Sequence, residues 1–168
     1  ARMNPPLVVA VNGTVAGGGL SLVLVADMVL SNPSAKFTLA YTRAGLIPDG
    51  SSTYFLPRII GMRRARELIF TNRVLNAEEA LDWQLINRVC KEDELQSEAE
   101  KLVKTLSEGP LDSHGMIKQL LSESFSSELE SQWKQNQEVL PRHFRVGRGR
   151  KEFLHFWING NLFFIEEL

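Results

Sequence analysis

Residues 7–19 constrain the fold more than any other stretch of this chain. The apolar run Leu7-Val8-Val9-Ala10-Val11 ends in a turn at Asn12-Gly13-Thr14, and the triplet Gly17-Gly18-Gly19 follows. A strand with no polar residue on either side is normally covered by a neighbouring layer on both faces. The triplet is read as opening a short apolar helix that runs to about Asp27. Val29-Leu30-Ser31 reads as a second strand closed by Asn32-Pro33-Ser34, and Lys36 to Leu39 as a third. Strand, glycine turn, helix and strand in succession point to an α/β layered unit. Because a fold seldom begins with an inner strand, further chain is expected to precede Ala1.

The pattern turns helical after Ser51. Asn76 stands three residues before Glu79, the spacing of a capping box. Over 92–107, Leu95, Ala99, Leu102, Val103 and Leu106 share one stripe, and Gly109-Pro110 ends the run. Met116, Ile117, Leu120 and Leu121 form another apolar face, and Ser127 with Glu130 is expected to cap the following helix. The expected organisation is therefore an α/β part over residues 1–60 and a helical part over 61–168. No internal repeat is visible.

Composition narrows the classes. The chain has 168 residues, of which 43% are hydrophobic and 23% charged, enough apolar content to fill a core. Its 19 basic residues are offset by 20 acidic ones, which argues against nucleic-acid binding driven by overall charge. The longest apolar run, Leu20 to Leu30, is too short for a membrane span and contains Ser21 and Asp27. One cysteine, Cys90, allows no intrachain disulfide and fits a reducing compartment. His114, His143 and His155 lack metal-ligand spacing, so no metal is expected.

Two other stretches have competing readings. Arg142, Arg145, Arg148, Arg150 and Lys151 precede Phe153, Phe156, Trp157, Phe163 and Phe164. Basic and aromatic residues together can grip phosphates, although a solvated helix followed by a docking segment accounts for them as well. Arg63, Arg64 and Arg66 could meet acidic neighbours or a phosphate. Tyr54 and Phe55 are expected in the core.

The glycine triplet carries the chemical signal. Glycines at a helix start let backbone approach a ligand, and the free N–H groups there suit an anion or a developing oxyanion. Tight helix–strand packing explains three glycines equally well. The spacing fits neither a dinucleotide fingerprint nor a phosphate loop.

The surrounding blocks add to it. Asn12-Gly13, Gly17-Gly18-Gly19, Ala26-Asp27, Ala35-Lys36-Phe37, Gly45-Leu46-Ile47-Pro48-Asp49-Gly50, Leu56-Pro57-Arg58 and Ala80-Leu81-Asp82-Trp83 occur in order. From about Leu7 to Trp133 this closely resembles the crotonase family, the enoyl-CoA hydratases and isomerases, over roughly the C-terminal two-thirds of a usual member. The resemblance implies a partial spiral of ββα turns followed by a helical C-terminal region that assembles trimers or hexamers. It further implies a cytoplasmic protein that takes acyl-CoA thioesters, with coenzyme A arriving as part of the substrate and no other cofactor. Two backbone N–H groups would stabilise a thioester enolate. Gly18, flanked by Gly17 and Gly19, would supply one, and a loop preceding residue 1 the other. Losing one such donor costs about 3–4 kcal/mol of transition-state stabilisation.

The hydratases of this family carry two glutamates, and the matching positions here hold Ser21 and Tyr41. Hydroxyls are poor bases near neutral pH, so water addition by two glutamates is disfavoured. Both residues are instead expected to line the substrate site. Asp49 stands where a typical hydratase has glycine, as in family members that shift double bonds. A single carboxylate can take a proton from one carbon of an enolate and return it to another, and the reading expects it to be buried. Read locally, Pro48-Asp49-Gly50 is also a plain turn. The expectation is an isomerase using Gly18 and Asp49. The alternative is a non-catalytic remnant that folds, oligomerises and at most binds thioester weakly. The resemblance also implies a closing helix over the coenzyme, but His155-Phe156-Trp157 stands where its charged residues would be.

Overall fold

A computed structural model of the chain describes residues 3–143, 154–158 and 162–166. Strand β1, Val8–Val11, is buried along its whole length. Its side chains alternate between two apolar clusters. Val9 and Val11 join a large core with Val15, Leu20, Val23, Phe37, Leu56 and Leu68. Val8 and Ala10 join a smaller one with Leu30, Cys90, Leu95, Ala99 and Val103. The uninterrupted apolar run is therefore accounted for by a strand buried on both faces, because alternate side chains point to opposite sides of a sheet.

After β1 the chain forms β2 (Thr14–Ala16), helix α1 (Gly18–Leu24), β3 (Met28–Ser31) and β4 (Lys36–Thr38). A 3₁₀ turn at Thr42–Ala44 precedes α2 (Ser52–Ile60) and α3 (Met62–Thr71). Then come β5 (Leu75–Asn76), α4 (Ala77–Asp82) and β6 (Arg88–Val89). Three longer helices follow, α5 (Leu95–Glu108), α6 (Leu111–Glu123) and α7 (Leu129–His143). Strands β7 (Leu154–Ile158) and β8 (Leu162–Glu166) come last.

One sheet has the order β6-β3-β1-β7-β8, and a second has β2-β4-β5. Strand β1 pairs in parallel with β3, Val9 opposite Val29, and with β7, Val9 opposite Phe156. Strands β2 and β4 are also parallel, with Val15 opposite Phe37. The α/β class expected from the sequence is the observed one. The larger core runs on past residue 60 through Ala65, Leu68, Leu75, Ala80 and Ile86.

Some local expectations need correction. The turn expected over Asn12–Thr14 is shorter, because β2 already begins at Thr14. Helix α1 stops at Leu24 rather than near Asp27. The Asp27 N–H instead bonds the Leu7 carbonyl at 2.9 Å, and its carboxylate accepts the Leu7 N–H at 2.7 Å and pairs with Lys118. On α6, Ile117 and Leu121 of the expected apolar face are exposed. The first hydrogen bond of α7 is accepted by the Glu128 carbonyl, one residue beyond the expected Ser127 cap. Tyr54 is exposed, with the Arg58 guanidinium 3.7 Å above its ring. Residues 154–158 form a strand where the resemblance implies a helix. Arg145, Arg148, Arg150, Lys151 and Phe153 lie outside the described residues. Among the described residues no helix is long and apolar enough to cross a membrane.

The capping box is present as read. Asn76 Oδ1 accepts the Glu79 N–H at 2.8 Å, and the Glu79 carboxylate accepts the Asn76 N–H at 3.0 Å. That bond, followed by Arg73, holds the Glu79 carboxyl below its ordinary range. A lowered folded-state pKa adds stability that is intact above the usual glutamate range and fades as pH falls through the folded value. We expect Asn76→Ala to lose about 1 kcal/mol in urea unfolding at neutral pH. The gap from wild type should persist in acid, because the lost bond from the Glu79 N–H to the Asn76 side chain does not titrate and the backbone N–H that the Glu79 carboxylate accepts stays in the variant.

Candidate active site

Three segments meet around the glycine triplet. Gly17, at φ +53, is the residue from which α1 starts. Its N–H is used, bonding the Thr38 carbonyl at 3.2 Å, and its carbonyl accepts from Leu20 and Ser21. The N–H groups of Gly18 and Gly19 therefore stand at the head of the helix with no backbone acceptor among the described residues. Gly18 is exposed and Gly19 half-buried.

Tyr41 lies across this opening. A Cβ on Gly17 would meet the Tyr41 ring at 3.8 Å, and one on Gly18 would stand 4.0 Å from its hydroxyl. Ala40, at φ +59, redirects the chain just before Tyr41. The 3₁₀ turn that follows is tied to α3 through Thr42, whose hydroxyl donates to the Ile69 carbonyl at 2.9 Å and accepts from the Asn72 amide. The ring is thus carried on a fixed turn.

The Tyr41 hydroxyl donates to Asp49 Oδ1. Burial pushes the phenol above its ordinary pKa, and the bond to Asp49 pushes the same way while Ser21 opposes them. Tyr41 is consequently a protonated donor at neutral pH. Asp49 itself is exposed, which corrects the expectation of a buried carboxyl. Among the described residues Oδ2 accepts no hydrogen bond, so Tyr41 occupies one carboxylate oxygen and leaves the other open.

Ser21, a neighbour of the Tyr41 hydroxyl, is buried. It is 5% exposed, and its hydroxyl lies 2.7 Å from that of Ser52 and 3.3 Å from the Asp49 carbonyl. Ser52, fully buried, donates to the same carbonyl. The sequence reading did not single out Ser52, since it lies 31 positions from its partner and no local spacing joins them. Gly50, at φ +55, closes the arrangement, because a Cβ there would stand 2.6 Å from the Ser21 Cβ.

The remaining candidates are elsewhere. Cys90 is buried, and burial pushes its thiol above the ordinary value, as suits packing rather than attack. Arg64 pairs with Asp82 at 3.5 Å and lies over the Trp83 ring. A groove of about 940 Å³ runs between the end of α1, α2 and α6, lined in part by Leu24, Phe55, Arg58, Lys118 and Phe125, apart from the Tyr41–Asp49 pair.

The fold is a mixed α/β unit, and its site combines free amides at a glycine-opened helix with an Asp49 carboxylate bonded by Tyr41. The enoyl-CoA hydratase/isomerase family model matches residues 1–159, and the chain belongs to that family. It is similar to 4-chlorobenzoyl coenzyme A dehalogenase-1 of Arthrobacter sp, 39% identical over 78% of this chain and 48% of that protein. It is also similar to 1,2-epoxyphenylacetyl-CoA isomerase of Escherichia coli K12, 37% identical over 79% and 50% of the two chains. Among solved structures, an enoyl-CoA hydratase/isomerase from Cupriavidus metallidurans CH34 superposes with a TM-score of 0.82 at 32% identity, covering 86% of this chain and 55% of that one. The chain spans about half the length of the curated relatives it matches.

Two glycines separate backbone strain from lack of space. Gly45 has φ +68 with nothing near its missing Cβ, whereas Gly50 adds the contact with Ser21. Gly45→Ala should cost about 1 kcal/mol for the left-handed backbone alone. Gly50→Ala should cost about 1–3 kcal/mol more through overpacking. Paired denaturant titrations measure both, and equal losses would show that Ser21 does not confine residue 50.

Proposed function

We propose that this protein processes acyl-CoA thioesters by moving a double bond through a thioester enolate. The observation that carries the reading is the open Gly18 N–H beside an Asp49 carboxylate held by Tyr41 through one oxygen only. In this reading the thioester oxygen of a 3-enoyl-CoA faces the Gly18 N–H. The free Asp49 oxygen takes a proton from the carbon next to the thioester, and the electron pair moves into a dienolate whose negative oxygen the amide stabilises. Asp49 then returns the proton to the far end of the conjugated system, giving the 2-enoyl-CoA. One carboxylate serves both transfers, and no water is consumed.

Family membership supports the thioester. The absence of glutamate at Ser21 and Tyr41 supports isomerisation over hydration, because a lone carboxylate cannot play the two roles that water addition assigns. Gly17 and Gly19 flank the thioester oxygen, and Tyr41 lines the acyl group. Coenzyme A enters as part of the substrate, with no separate cofactor in the scheme. We place the protein in the cytoplasm as a homo-oligomer assembled through the helices that follow residue 60. A second reading, a non-catalytic protein that binds thioester weakly, is favoured by the exposure of Asp49, which leaves the carboxylate open to water.

The test is to supply 3-enoyl-CoA and 2-enoyl-CoA to the intact protein. Isomerisation that falls about 10²–10⁴-fold in Asp49→Asn bears out the proton-carrier role. Hydration without isomerisation, or an Asp49→Asn variant of full activity, would defeat it. Under the second reading, acyl-CoA raises the melting temperature saturably without turnover.

A further inference from the structure

Ser21 stands in the helix that carries the open amides, yet its hydroxyl is directed into the protein. It is 5% exposed, Ser52 is fully buried, and the two oxygens are 2.7 Å apart. A hydroxyl has one hydrogen to donate. Ser52 spends its own on the Asp49 carbonyl, so Ser21 is the donor to Ser52, with the same carbonyl 3.3 Å away and the Tyr41 hydroxyl as its other neighbours. The result is a directed chain from Ser21 to Ser52 to the main chain of Asp49.

The same loop is held by backbone geometry. The Ser52 N–H bonds the Asp49 carbonyl at 2.9 Å, so that one oxygen gathers both serine hydroxyls and an amide. Gly50 and Ser51 occupy the left-handed region at φ +55 and +62, a conformation that is ordinary for glycine but persists at Ser51 only where surroundings enforce it. Gly50 lies so close to the Ser21 Cβ that a side chain at 50 has no room. Ser51 makes no side-chain cap to α2, which leaves the buried serines as the polar tie at that helix start. The carboxylate of Asp49 is fixed at its other end by Tyr41.

From this geometry we infer that Ser21 is a positioning residue for Asp49, acting through Ser52 and the 49–52 loop rather than by touching substrate. The inference rests on the reading of Asp49 as proton carrier and gives Ser21 a role different from a pocket-lining one. Removing the Ser21 hydroxyl frees the loop to drift, and misplacement of a reacting group by about 1 Å costs up to about 10²-fold in rate.

The experiment compares wild type, Ser21→Ala, Ser52→Ala and the double variant in the intact protein, with and without Asp49→Asn. The assay is 3-enoyl-CoA isomerisation, and amide hydrogen exchange over residues 49–54 is followed in parallel. Each single variant should lower kcat about 10–100-fold with KM within about threefold. The double variant should be no worse than either single one, and Ser21→Ala should lose nothing further in the Asp49→Asn background. Exchange at 49–54 should speed up about tenfold or more. A raised KM at unchanged kcat would mean substrate contact and would overturn the inference, as would full activity in Ser21→Ala. Should Ser21→Ala fail to fold, Ser52→Ala tests the same chain from its other end. If wild type shows no isomerisation, the catalytic reading fails separately, and exchange decides whether Ser21 holds the loop: faster exchange upholds the tie, and unchanged exchange removes it.

Discussion

The burial of β1 on both faces is the constraint from which the rest of this structure follows. Val9 and Val11 are committed to one core while Val8 and Ala10 are committed to the other, so a slip of one residue would exchange the two sets. The register with β3 is therefore specified from both sides. A fixed β1 also fixes where the chain leaves it, and that exit leads through β2 into the glycine triplet. The open amides of Gly18 and Gly19 are thus set against a rigid strand rather than a loop. Sites that must hold an atom in place are better built on such elements.

A second anchoring layer comes from parts of the chain far away in sequence. Tyr41 precedes a 3₁₀ turn tied to α3 through Thr42 and Asn72, and Asp49 precedes a loop that meets α1 at Ser21. The two meet each other through a hydroxyl–carboxylate bond. Three independent supports, β1, α3 and α1, thereby converge on one small region. The backbone there is held at positive φ at the non-glycine residues Ala40 and Ser51, beside the glycine triplet and the Asp49 loop.

Features that depend on neighbours in sequence were readable before the fold was known. The Asn76–Glu79 box is such a case, because both partners lie within one helical turn. The stripe of Leu95, Ala99 and Val103 is another, since helical period alone places those residues on one face and all three are buried. The α/β class and the glycine-opened helix likewise came from local pattern. Strand β2 did not, for its three residues expose Thr14 and Ala16 around buried Val15, too short an alternation to stand out from a turn. The end of α1 is not legible along the chain because Asp27 is claimed by Leu7 and Lys118, contacts between distant segments. The exposure of Asp49 and the buried tie of Ser21 to Ser52 were beyond reach for the same reason, being decided by packing between distant segments.

The position of Ser21 bears on the chemistry as well as on the fold. The hydratase pattern places a glutamate there, and a glutamate would have to put its charge into the space now shared by Gly50 and Ser52. None of the ion pairs among the described residues involves a group bonded to Ser21, Ser52 or Gly50. An unpaired buried carboxylate is costly, whereas a buried hydroxyl with a donor–acceptor chain is not. A glycine at 50 whose missing Cβ faces Ser21, and a serine at 52 that accepts its proton, form a set in which each member suits the others. On the proposed reading this exchanges a second proton carrier for a fixed loop. One mobile proton is all that a double-bond shift requires, so precision in placing Asp49 takes over the part that a second carboxylate plays in adding water.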